Sequence, residues 1–238
     1  MSLDSTAIEK IEELALGAQG NVLVEKDGYL YSVTGSGARR LEYNDNPDRI
    51  ELHTLQGLVD FINENYPGVP LGFIHVVNAR LVVLYGALDK FGNRPQLAVV
   101  TPFTDPFDFG SYYQQEQFQI GLRSQFVPNE HRDILIKFAG DLVDKDEQTY
   151  QDDGISQTAT VKTGVVSQGV ADVPSPVTLK PYRTFIEVDQ PDSEFIFRVQ
   201  KGARMALYEA DGGAWKNEAI NRVKAWLQTQ FTDTKVIG

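Results

Sequence analysis

The sequence predicts an α+β protein with a mixed, largely antiparallel sheet and about four helices packed on it. The most decisive observation is a pair of runs rich in β-branched residues, Phe73–Tyr85 and Gln96–Thr101, which predict a hairpin. Within it, Leu81–Leu84 is apolar on both faces, which is typical of a central strand. A third observation is the last quarter of the chain, Val177–Phe231, which indicates three strands followed by a helix on one face of their sheet.

Apolar residues in this last quarter alternate in part, as expected for strands: Phe185, Val188, Phe195, Phe197 and Val199. From Ala214 the apolar spacing becomes helical and continues to Phe231. Trp226 continues the apolar face of this helix and is predicted to be buried. Trp215 falls near the helix start, where a partly exposed tryptophan suits an interface with another protein.

Two earlier helices have clear N-terminal signals, because Thr54 and Asn129 each precede an apolar-periodic segment. These segments are Leu55–Asn65 and residues 130–143. The region Gln117–Phe126 is ambiguous, since its apolar residues fall on even positions while its glutamines permit a helix. The alternation favours a strand that begins after Gln115.

The N-terminal region combines a short helix with a hairpin. Ile8, Ile11 and Leu14 form an apolar stripe that packs either on the protein's own core or on another subunit. Alternating residues over Asn21–Thr34, with the turn sequence Lys26-Asp27-Gly28, predict the hairpin.

The remaining segments suggest how the chain is divided. Ser167–Pro176 is rich in small residues and proline, so it is either a linker or a crossover between residues 1–166 and Val177–Gly238, two regions that we expect to share one core. The polar segment Asp144–Asp153 predicts a mobile loop. The phenylalanines of Pro102–Gly110 either fill the edge of the core or form a surface for a partner.

Composition excludes several kinds of chemistry. The 238 residues include no cysteine, so disulfides, thiolate metal sites and cysteine nucleophiles are ruled out. A net charge of −11 disfavours general nucleic-acid binding, and the weak candidates for such contacts are Arg39, Arg40 and Arg123. The start of the chain does not resemble a signal peptide, and no apolar run is long enough for a membrane span. A soluble protein of the cytoplasm is therefore expected.

Catalytic motifs are also missing. His53, His75 and His131 form no HxH or HExxH pattern, and no GxSxG or phosphate-binding glycine motif occurs, Gly35-Ser36-Gly37 being interpreted as a loop. Glu187 and Asp189 would face one side of a strand and could form an acid/base pair, although such pairs arise by chance in an acidic chain. The sequence predicts no catalytic residue, no cofactor and no metal site.

The order of several segments resembles the phage and prophage protein family called YfdQ-like, over nearly the whole chain. The segments are HTLQGLVDFINEN, LVVLYGALD, ILIKFAGDLVDKDE, TATVKTGV, PVTLKPYRTFIEV and SEFIFRVQKG. The family has no assigned activity or catalytic residues. The resemblance implies a phage-derived origin, with members encoded among early, DNA-metabolism or recombination genes.

These observations predict a non-enzymatic, self-associating phage protein that acts through protein contacts in the host cytoplasm. Its predicted partners are further copies of itself and phage or host proteins. The alternative hypothesis is an accessory protein of phage DNA metabolism, recombination or defence evasion that binds a nucleic acid or a nucleotide.

Overall fold

The computed structural model describes residues 9–10, 22–26, 29–34, 37–41, 48–89, 92–142, 157–162 and 168–238. The chain forms two compact units, Met1–Pro47 and Asp48–Gly238. The predicted apolar stripe of Ile8, Ile11 and Leu14 and the predicted mobile loop Asp144–Asp153 lie outside the described residues. No helix in the described part of the chain is both long and apolar enough to cross a membrane.

The described residues form four helices and thirteen strands, in agreement with the predicted α+β class. The helices are α1 (Leu55–Asn65), α2 (Gln115–Gln125), α3 (Glu130–Asp141) and α4 (Ala214–Gln230). The strands are β1 (Val22–Lys26), β2 (Tyr29–Thr34), β3 (Gly37–Leu41), β4 (Ile50–Leu52), β5 (Phe73–Asn78), β6 (Leu81–Tyr85), β7 (Gln96–Val100), β8 (Thr158–Lys162), β9 (Gln168–Asp172), β10 (Val177–Leu179), β11 (Ser193–Gln200), β12 (Arg204–Glu209) and β13 (Val236–Ile237).

The first unit contains an antiparallel sheet in the order β1-β2-β3. The predicted hairpin is confirmed, because Lys26 pairs with Tyr29 across a two-residue connection. β3 was not predicted. Arg39 and Arg40 lie on β3 opposite Ser32 and Tyr31. Pairing with β2 outweighs the weak strand preference of this glycine- and arginine-containing segment.

The second unit contains a five-stranded sheet in the order β13-β5-β6-β7-β4. β6 is central, as its apolar sequence predicts. The single long strand expected over Phe73–Tyr85 is two strands, β5 and β6, which pair with each other on either side of a turn at Ala79 and Arg80. β4 and β13 pair in parallel with their neighbours, so the sheet is mixed.

Helices α1 and α4 cover one face of the five-stranded sheet and enclose the first core. Its fully buried side chains include Leu58, Ile74, Leu84, Val223 and Leu227. The prediction that the closing helix covers the C-terminal strands is therefore wrong. The chain after α4 adds β13 to the edge of the five-stranded sheet next to β5, and α4 packs against those two strands.

A second core lies between the antiparallel sheet β10-β11-β12 and the helices α2 and α3. The strand expected after Gln115 is helix α2, which corrects the sequence-based prediction. Phe118, Leu122 and Phe126 are spaced by four residues and all are buried, whereas Ile120 is 55 % exposed. The even-numbered pattern thus came from a helical stripe plus one exposed isoleucine.

The predicted linker Ser167–Pro176 contains β9, which pairs antiparallel with β8. The side-chain amide of buried Gln157 binds both backbone polar groups of Val199 on β11. It accepts from the N–H of Val199 at 2.9 Å and donates to the carbonyl of Val199 at 2.7 Å. Residues of Val177–Gly238 contribute to both cores of the second unit. The boundary between compact units lies at Pro47 and Asp48 rather than at the linker.

Pro102–Gly110 divides its aromatic side chains between core and surface. Phe107 is buried and contacts the rings of Phe118 and Phe126, as expected for a segment that fills the edge of the core. Phe103 is 82 % exposed and stacks on His53 with ring centroids 3.7 Å apart. The segment therefore fills the edge of the core with Phe107, and its alternative interpretation as a surface for a partner stays a prediction.

Both predicted helix caps form, and one gives a simple test. The N–H of Gly57 donates to Thr54 Oγ1 at 3.0 Å, and the N–H of Arg132 donates to Asn129 Oδ1 at 2.8 Å. We expect Thr54→Ala to lower the free energy of unfolding by about 1 kcal/mol, because one N–H at the start of α1 loses its acceptor. Thr54→Ser keeps the oxygen and serves as the control. Equal urea midpoints for the two variants would contradict this assignment.

Candidate functional site

The loop Lys180–Asp192, called here the connecting loop, joins β10 to β11 and contacts both cores of the second unit. Phe185 and Val188 belong to the core beneath α1 and α4. Arg183 instead lies over the rings of Phe109 and Phe195 beside the other core. The strand predicted through Phe185 and Val188 ends at Leu179, so that prediction is wrong for most of its length.

A buried glutamine explains why this loop is not a strand. The Oε1 atom of Gln190 accepts from the backbone N–H groups of Arg183 at 3.0 Å and Thr184 at 3.2 Å. Its Nε2 atom donates to the carbonyls of Phe185 at 3.0 Å and Val188 at 3.2 Å. One side-chain amide therefore satisfies four backbone groups that a neighbouring strand would otherwise have to bind.

Arg183 is the most deeply buried charge among the described residues, with only 2 % of its surface exposed. Its guanidinium forms an ion pair with Glu209, donates to Ser193 Oγ and lies 3.9 Å from the ring centroid of Trp215. Burial lowers the pKa of Arg183 to about 10, although the charges of Glu209 and Asp211 act in the opposite direction. The side chain is therefore charged at neutral pH.

Asp211 lies at the turn before α4, next to Arg183. Burial raises the pKa of its carboxyl, but hydrogen bonds from Ser193 and the backbone N–H of Gly213, together with the charge of Arg183, lower it more. The N–H of Gly213 is 2.9 Å from Asp211 Oδ1. Gly213 has a φ of 82°, a left-handed conformation that costs glycine little.

The lowered pKa of Asp211 gives a prediction with a definite sign. A carboxyl whose pKa is lower in the folded state stabilises the fold above its unfolded value, near 3.8, and this contribution is lost as the pH falls through the folded value. We expect Asp211→Asn to reduce the free energy of unfolding at pH 7 by about 1–2 kcal/mol. The deficit should shrink below pH 4 in urea titrations. A constant deficit across this range would contradict the assignment.

These side chains border a groove of about 520 Å³ between β11 and the start of α4. Its lining residues are Thr178, Asp192, Ser193, Glu194, Asp211, Ala214, Trp215, Asn217, Glu218 and Asn221. The lining thus combines four carboxylates with one tryptophan and contains no lysine or arginine. This composition suits a cationic group that can approach carboxylates and an aromatic ring together.

Two of the groove carboxylates have partners at the rim. Lys180 lies 3.4 Å from Asp192, and Arg222 lies 2.8 Å from Glu218. Both pairs are partly solvent-exposed, so each contributes little to stability. Within the described ranges Glu194 forms no ion pair, which makes it the carboxylate best placed to receive a cation.

The acid/base pair considered from the sequence does not form on a strand. Glu187 and Asp189 both lie in the connecting loop. Glu187 Oε1 accepts from the backbone N–H of Leu55 at 2.7 Å, at the first residue of α1. A carboxylate in this position stabilises the helix N-terminus, so the contact gives Glu187 a structural role.

The three histidines are held by structural contacts or lie in a strand. His53 Nδ1 is 3.0 Å from the carbonyl of Thr101, His75 lies on β5, and His131 Nδ1 accepts from the N–H of Thr178 at 2.7 Å. Among the residues that the structure describes, no three histidine, aspartate or glutamate side chains are grouped to hold a metal ion.

The residues singled out from the sequence lie on different elements. Trp215 lines the groove and is partly buried, as expected. Arg39 is exposed on β3 in the first unit, with Arg40 next to it on the same strand, and Arg123 is exposed near the end of α2 in the second unit. The residues that sequence reasoning missed are Arg183, Gln190 and Asp211. The partners Glu209 and Trp215 of Arg183 come from a later part of the chain, whereas Gln190 binds backbone groups of its own loop.

Comparisons of the chain with protein-family models, curated proteins and solved structures found no match. The resemblance to the YfdQ-like phage family therefore stays a prediction.

Proposed function

We propose that this protein is non-enzymatic and acts by binding other proteins, with the groove beside Trp215 as a contact surface. The observation that carries the proposal is the lining of that groove, in which Trp215 stands among four carboxylates. Aromatic residues are enriched at protein interfaces, and a tryptophan in a concave surface is a typical anchor for a partner side chain.

A lysine or arginine side chain of the partner is the group that fits this groove. Glu194 is exposed on β11 and forms no ion pair with any described residue, so an incoming cation need not displace an existing partner. The net charge of −11 over the whole chain would also attract a basic segment at long range. The same charge repels nucleic acid, which is why a protein partner is favoured over the alternative function.

Self-association, a phage-derived origin and a place in the host cytoplasm belong to the same proposal. They rest on the apolar stripe expected in the N-terminal helix and on the resemblance described above. Light scattering on a size-exclusion column tests the first of these, since each monomer contributes 26.6 kDa. A native mass of one monomer would remove self-association and leave the groove proposal in place.

The groove itself can be tested with a fluorescence titration. Trp226→Phe leaves Trp215 as the sole tryptophan, because the chain has only two. We expect an acetylated, amidated arginine-rich peptide to change the emission of Trp215 saturably, whereas a glutamate-rich peptide does not. Glu194→Lys should weaken binding by about tenfold, because it replaces an attraction with a repulsion.

Glu64→Lys is the matched control, since it makes the same charge change on the exposed side of α1. It should leave the affinity within about twofold of the parent, because screening limits distant charges. Equal weakening by both substitutions would show that the peptide responds only to net charge and would count against the groove. The absence of saturable binding at low salt would refute the proposed function.

A further inference from the structure

The outer edge of β10 is closed by two side chains from the start of α3. β10 pairs with β11 on one side only, and Thr178 lies opposite Glu194 in that pairing. On its other side, the backbone N–H of Thr178 donates to His131 Nδ1 at 2.7 Å. The carbonyl of Thr178 accepts from Asn129 Nδ2 at 3.0 Å. An edge residue of the sheet thus has both of its backbone polar groups bound by α3.

The contact with His131 depends on protonation. An imidazole nitrogen can accept a hydrogen bond only when it carries no proton, so His131 must be neutral with its proton on Nε2. Imidazolium has a proton on both nitrogens and cannot accept from Thr178.

We propose that His131 is a pH-sensitive latch that holds β10 against α3 when neutral and releases the N–H of Thr178 when protonated. This inference goes beyond the proposed function and does not depend on it. Thr178 also lines the groove, so release of the latch alters one wall of that surface.

Charged residues on the packed elements modulate this latch without replacing it. The first turn of α3 carries Glu130, Arg132 and Asp133. Lys180 directly follows β10, Asp192 ends the connecting loop, and Glu194 lies on β11 opposite Thr178. Arg132 is paired with Asp133, and Lys180 with Asp192. The N–H of Thr178 donates to His131 and to none of these charged side chains.

The test compares three versions of the full chain by urea denaturation between pH 7.5 and 5.5. In the wild type, the folding equilibrium constant should fall by about two- to twelvefold over this range, the equivalent of one net hydrogen bond. His131→Asn places an amide oxygen near the position of Nδ1 and does not titrate, so most of this fall should disappear. For His131→Ala, the folding equilibrium constant should be low at pH 7.5 and equally low at pH 5.5, because the acceptor for the N–H of Thr178 is absent at both.

A spectroscopic readout separates the latch from a merely structural histidine. Long-range proton–nitrogen NMR at pH 7.5 should show His131 with its proton on Nε2, and the amide signal of Thr178 should move as the pH is lowered to 5.5. His75→Asn serves as the control and should retain the pH dependence of the wild type. A proton on Nδ1, or the same pH dependence in the wild type and His131→Asn, would overturn the proposal.

Discussion

Replacing Gln190 by alanine is expected to lower the free energy of unfolding by about 3–5 kcal/mol, because several buried backbone groups lose their partners together. The four groups belong to Arg183, Thr184, Phe185 and Val188, and all bind the single amide of Gln190. Their loss frees the connecting loop, which positions side chains in both cores of the second unit. Urea denaturation followed by circular dichroism measures the effect.

Gln230→Ala is the matched control, since Gln230 is exposed at the end of α4 and donates only to Thr229 Oγ1. Its effect should stay within about 0.5 kcal/mol, as for most surface substitutions. Gln190→Glu separates donor from acceptor, because a carboxylate keeps the acceptors for Arg183 and Thr184 but cannot donate to the two carbonyls. A loss below about 1 kcal/mol for Gln190→Ala, the contribution of one ordinary hydrogen bond, would contradict this account of the loop.

Arg183→Ala should have an effect of similar size, about 3–5 kcal/mol, for a different reason. The substitution removes the cation that binds Glu209 and Ser193 and leaves empty the space that the side chain fills against Trp215. Arg49→Ala is the control, because its pair with Glu51 is exposed and 3.7 Å long. We expect that control to change stability by less than about 1 kcal/mol.

Arg183→Met distinguishes charge from packing. Glu209 is partly solvent-exposed and can be hydrated once its partner is gone, so a methionine that fills the space should recover part of the loss. A methionine variant as unstable as the alanine variant would show that the ion pair, and not the stacking on Trp215, accounts for the stabilisation. Both variants should also disturb the groove, since Trp215 loses the contact that orients it.

Local signals in the sequence predicted local structure well. Thr54 and Asn129 identified two helix starts because capping involves only residues within one turn. β6 was predicted to be central because burial on both faces leaves a continuous apolar run. α2 was misread because Ile120 is exposed and extends an alternating pattern that the helix does not use.

The candidate site could not be derived in the same way. Arg183 and Gln190 look like ordinary polar residues in the sequence, and only the fold brings Glu209 and Trp215 to Arg183. The placement of α4 on the five-stranded sheet could not be predicted either, because α4 packs against β5, which lies far from it in the sequence. Trp215 was the one groove residue with a recognisable signal, an aromatic side chain at an exposed helix start.

The most direct test of the proposed contact surface is a proton–nitrogen NMR titration of the protein with the arginine-rich peptide. The groove account predicts that the largest signal changes occur at the indole N–H of Trp215 and at the backbone amides of Ser193, Glu194 and Asn217. Signals from residues that do not line the groove, such as those of Glu64 and Asn65 at the end of α1, should stay in place. Saturable changes centred elsewhere, for example around the exposed ring of Phe103, would contradict the account.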